Sequence, residues 1–135
     1  MGRTRTLEID VPDPAMRRIE FEAGRGGMTA EGYVREVIMR EVDVMPRWSF
    51  EVEFDEGLAA KHGTSVGELY GIVADIAERN GNVRVGRNMW MAGKDGEEVE
   101  SQCLAHSALR RNALVMACLS HWVIREDGEA FDAMR

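Results

Sequence analysis

A chain of 135 residues can bury one compact core, or two small modules that share a core, and is too short for a large enzyme with a separate cofactor domain. Its 44% apolar and 30% charged residues, with only 3 prolines, exclude a disordered or low-complexity chain. The net charge of -7 excludes general affinity for nucleic acid or anionic membrane, so any DNA binding has to be local.

The chain opens on "TRTLEIDVPD", in which Leu7, Ile9 and Val11 alternate with Thr6, Glu8 and Asp10. Spacing of two predicts a half-buried strand. Asp13 as N-cap and Pro14 in the first turn predict a helix carrying Met16, Ile19 and Ala23 on one stripe, ended by Gly24, Gly26 and Gly27. Thr29 caps a second predicted helix whose apolar face is Tyr33, Val34, Val37, Ile38 and Val42, closed by Pro46. In "RWSFEVEFDEG" Phe50, Val52 and Phe54 alternate with Glu51, Glu53 and Asp55, which predicts a strand with an acidic face. "TSVGELYGIVADIAERNGN" predicts a helix capped by Thr64 or Ser65, with Leu69, Ile72, Val73 and Ile76 inward and Gly81 as its end. "NVRVGRNMWMAGKDGEE" predicts a hairpin with Val83 and Val85, then Met89 and Met91, as the alternating apolar positions. The last segment, "EEVESQCLAHSALRRNALVMACLSHWVIRED", is apolar on nearly every side from Ala113 to Ile124. It predicts one long buried helix at a subunit interface.

A lone strand followed by two short helices cannot bury much apolar surface, and its simplest completion is a twofold dimer with the two strands paired antiparallel. The strand "RTLEIDVPD", the helix "PAMRRIEFEA", the turn "GRGGMT" and the helix "AEGYVREVIMREV" resemble the ribbon-helix-helix (Arc/MetJ/CopG-type) DNA-binding family. The likeness covers about residues 3–45. It implies an α+β protein, with residues 1–46 as a ribbon-helix-helix module for dimerisation and DNA binding. Residues 47–135 then form a C-terminal α+β region for oligomerisation or partner binding. It also implies that the outward residues of the paired strands enter the major groove, which places Thr6, Glu8 and Asp10 against bases. Glu8 and Asp10 depart from the Arg, Lys, Thr, Asn or Gln usual there. A carboxylate can accept from cytosine N4, yet pays Coulomb repulsion among phosphates. Arg3 and Arg5 would offset that repulsion. The start of the second helix, at Met28, Thr29 and Ala30, would hold a phosphate on its free amides.

Charge is divided in the expected direction. Residues 1–47 carry 8 Arg against 9 acidic side chains, and residues 48–135 carry 9 basic against 15 acidic ones. The acidic C-terminal region is compatible with covering a basic partner such as a toxin. Cys103 with His106, and Cys118 with His121, are each spaced i, i+3 and form a ligand set that zinc accepts. On one continuous helix the two pairs lie roughly 22 Å apart. Ordinary buried thiols and imidazoles are therefore the stronger reading, and no metal or cofactor is expected. No nucleophile motif or phosphate-binding loop is present, and no enzymatic activity is expected. "MGRTRTLEID" lacks the apolar core of a signal peptide, and "ALVMACL" falls far short of the roughly 20 residues that span a bilayer. The expectation is a cytoplasmic, dimeric or tetrameric DNA-binding repressor or antitoxin. The alternative is a structural protein that uses the same fold only to dimerise.

Overall fold

The computed structural model describes residues 5–42, 47–93 and 96–134. Among them the fold is α+β, with six helices and one five-stranded antiparallel sheet. The helices α1 (Asp13–Arg25) and α2 (Ala30–Val42) form an N-terminal pair, here called the head. The body follows as β1 (Ser49–Phe54), α3 (Glu56–Lys61), α4 (Val66–Arg79), β2 (Asn82–Arg84), β3 (Met89–Ala92), α5 (Glu98–Arg110), α6 (Ala113–Cys118), β4 (Leu119–Glu126) and β5 (Glu129–Asp132). Strand order is β2-β3-β1-β4-β5, with β1 central. No helix among the described residues is long and apolar enough to cross a membrane.

Local chemistry explains the element starts. Side-chain oxygens of Asp55, Ser65 and Asn112 accept from the backbone N–H groups of Leu58, Glu68 and Val115 at 2.8, 3.2 and 3.0 Å, so α3, α4 and α6 each begin on a satisfied cap. The alternation of β1 sends Phe50, Val52 and Phe54 into the helical layer. There they meet Leu69, Tyr70, Val73 and Ala77 of α4, Ala105 and Leu109 of α5, and Val115 of α6. Phe50 stacks on Trp90 with ring centroids 5.6 Å apart, and Phe54 meets Tyr70 edge-on at 5.2 Å.

Four expectations change. The predicted long C-terminal helix is instead α5, α6 and the strand β4, because Asn112 caps a new helix and the Trp-Val-Ile run pairs with β1, Trp122 opposite Val52. All-round apolarity from Ala113 to Ile124 therefore reflects helix α6 and a strand packed inside this chain, not a helix reserved for a subunit interface. In the β2–β3 hairpin the core-facing positions are Asn82, Arg84, Trp90 and Ala92, whereas Val83, Met89 and Met91 are half-buried on the other parity; of the four expected apolar positions only Val85, just past β2, is buried. Asp13 is the first helical residue of α1, not its cap, and Pro12 in the cap position supplies no side-chain bond. Residues 5–12 form no strand, and Leu7 and Ile9 are 76% and 64% exposed. A ladder needs a second strand, and the single chain offers none to this segment. Pro46 and the "KDG" turn lie wholly or partly outside the described residues.

Candidate nucleic-acid interface

The head is an open structure. Ala23 is the one buried residue of α1 and Gly32 the one buried residue of α2. The remaining apolar groups face outward, with Met16, Phe21, Ile38 and Val42 exposed and Ile19, Tyr33, Val34 and Val37 half-buried. None of these residues enters the hydrophobic cluster of the body. The turn between the helices is set by Gly27, whose φ of +67° is a left-handed conformation that glycine adopts without strain. The N–H of Met28 then returns to the carbonyl of Ala23 at 2.9 Å and closes α1.

The residues expected to touch DNA are distributed unevenly. Arg5, Thr6, Glu8 and Asp10 are all exposed on the segment before α1, and Arg3 lies outside the described residues. Met28 is half-buried, and its amide is already engaged with Ala23, so it leaves the set of free helix-start donors. Thr29 caps α2 by accepting from the Gly32 N–H at 3.0 Å. Ala30 is the first residue of α2, where backbone amides have no partner within the helix. Glu22 binds Arg25 at 3.0 Å and lies 3.9 Å from Arg18, and Arg35 lies 3.8 Å from Glu31, so several head arginines are locally neutralised.

The body meets the head at the start of α2. The guanidinium of Arg84 donates to the carbonyl of Gly27 at 3.2 Å, and Glu36 of α2 accepts the backbone N–H of Arg87. Burial lowers the pKa of Arg84, and nearby Glu78 and Glu36 favour its charge. A shallow cleft of about 180 Å³ at this junction is lined by Glu22, Arg25, Gly26, Met28, Tyr33, Glu36 and Arg87. Nothing in the sequence pattern singles out Arg84: a lone arginine in a short alternating strand reads as solvent-facing.

The cysteines and histidines do not assemble. Cys103 is exposed on α5, His106 is half-buried one turn on, Cys118 is buried at the end of α6, and His121 lies on β4. Among the described residues no three His, Cys, Asp or Glu side chains converge as a metal site. His106 belongs instead to a polar chain inside the body. Asn82 Nδ2 donates to the carbonyls of Ala77 and Ser101, Gln102 Nε2 donates to Asn82 Oδ1 at 3.2 Å, and His106 Nε2 lies 3.0 Å from Gln102 Oε1.

Comparison with protein-family models, curated proteins and solved structures finds no match to this chain.

Proposed function

We propose that the protein is a sequence-specific DNA-binding regulator that acts as a ribbon-helix-helix dimer, with the body attached to each head. The observation that carries the reading is the unfinished head. An alternating segment with Leu7 and Ile9 exposed precedes two short helices that bury only Ala23 and Gly32. A second copy supplies both an antiparallel partner for that segment and a cover for the apolar faces of α1 and α2. The paired segments then present Thr6, Glu8 and Asp10 outward, with Arg5 and Arg3 at their ends for phosphate contact. Thr29 and Ala30 supply the helix-start amides for a flanking phosphate.

The test is selection of bound fragments from random double-stranded DNA at two salt concentrations, comparing the wild type with the double variant Arg3→Ala, Arg5→Ala. The expected result is retention that weakens with salt and is reduced in the variant, since each lost phosphate contact lowers the salt slope by roughly one unit. Absence of salt-sensitive retention in the wild type would overturn the DNA reading and leave a protein that uses the head only to dimerise.

A further inference from the structure

Arg84 is 7% exposed, and its neighbours are carbonyls and a ring, not a carboxylate in contact. Its guanidinium donates from Nε to Gly86 at 3.2 Å, from Nη2 to Arg87 at 2.6 Å, and from Nη1 to Gly27 at 3.2 Å. The first two acceptors belong to its own hairpin, and the third belongs to the head. The group also lies 5.1 Å from the Trp90 ring centroid, which supports its charge from the side facing the core. A planar fork can hold both partners at once, whereas a lysine ammonium on the same stem cannot reproduce that geometry.

The acceptor in the head is the left-handed Gly27, two residues before the Thr29 cap. The first turn of α2 sits close to the same arginine. A Cβ at Gly32 would lie 3.9 Å from Arg84 Cδ and 3.2 Å from Thr29 Oγ1. Glu36, one turn further along, supplies the second tie by accepting the Arg87 N–H. The head buries little apolar surface, and these polar ties join the start of α2 to the hairpin.

We propose that Arg84 is a positioning residue which fixes the Gly27 turn, and with it the first turn of α2, against the β2–β3 hairpin. The body thereby sets the placement of the helix start that faces a phosphate, a consequence that rests on the DNA-binding reading above. The positioning itself does not depend on DNA.

Amide hydrogen exchange on the full chain separates the two. In Arg84→Lys and in Glu36→Ala, which removes the acceptor for the Arg87 N–H, exchange over residues 27–34 is expected to rise about tenfold while β1 and β4 keep their protection. Glu36 is half-buried on the side of α2 that meets the hairpin and lies outside the core cluster, so its variant holds the test open if changes at Arg84 impair folding. Unchanged exchange over residues 27–34 in both variants overturns the proposal. So does an equal rise in β1 and β4, which would make Arg84 an ordinary core stabiliser. DNA retention is measured in parallel. No retention by the wild type ends the DNA reading and the functional consequence, with the positioning judged by exchange alone. Retention that is equal in wild type and Arg84→Lys, despite a loosened α2, overturns the consequence for DNA.

Discussion

His106 is held in a protonation state by its neighbours. Asn82 Nδ2 donates to backbone carbonyls, so Asn82 Oδ1 must accept from Gln102 Nε2, and Gln102 Oε1 in turn must accept from His106. The imidazole proton therefore sits on Nε2, and Nδ1 is left buried without a partner. The ring packs against Phe50 and Trp122 with centroids 5.1 and 5.4 Å away. Burial, and then the charge of Arg110, push its pKa from 6.5 down to about 4. The folded chain thus refuses a proton that the unfolded chain accepts. Stability present above pH 6.5 is lost as the pH falls from 6.5 towards about 4. The full loss is on the order of 3 kcal/mol. Urea unfolding at pH 7 and pH 4.5 should show this loss in the wild type and a distinctly smaller one in His106→Gln. Carboxylates contribute to both proteins, so equal pH dependence in the two would refute the assignment.

The elements differ in how openly the sequence declares them. The cap and periodicity of α4 and the alternation of β1 are legible, and Ser65, Leu69 and Val73 occupy the expected places. The segment after Arg111 is not, because an apolar run fits a buried strand as well as a buried helix. Two cues point to the outcome. Asn112 is a good cap that interrupts the helical run, and Trp122, Val123 and Ile124 favour a strand. The hairpin from β4 to β5 had its own signal in "DG", since Asp127 and Gly128 have φ of 51° and 89° as a two-residue turn requires. The parity of β2 was hidden for a different reason. Asn82 and Arg84 face the core because backbone carbonyls satisfy each of them, and one acceptor of each, Ser101 for Asn82 and Gly27 for Arg84, is distant in sequence, which no local pattern records. The cap at Asn112 yields a direct expectation. Asn112→Ala should lower stability by about 1 kcal/mol, as read by chemical denaturation, by freeing the Val115 N–H. A change within error would mean that α6 is held by the packing of Val115 and Cys118 alone.

At the scale of the whole molecule, the body has a closed core and the head does not, although the body too leaves Val99, Leu104 and Phe131 exposed. The body closes its core around β1, with Phe50, Val52, Trp90 and Trp122 each at most 1% exposed. The head leaves Leu7, Ile9, Met16, Phe21, Ile38 and Val42 exposed on a short stretch of chain. Burying one large aliphatic side chain contributes about 1.5 to 3 kcal/mol. Leu7 and Ile9 from two chains therefore supply a large share of the apolar burial that has to offset the cost of association. The wild type should sediment as at least a dimer at micromolar concentration, and Leu7→Ser with Ile9→Ser should sediment as a smaller species. In that variant the body should still unfold cooperatively, since neither residue touches its core cluster. A wild type that sediments as a monomer would remove the basis for a paired ribbon. A variant that stays fully associated would place the subunit contact on the body.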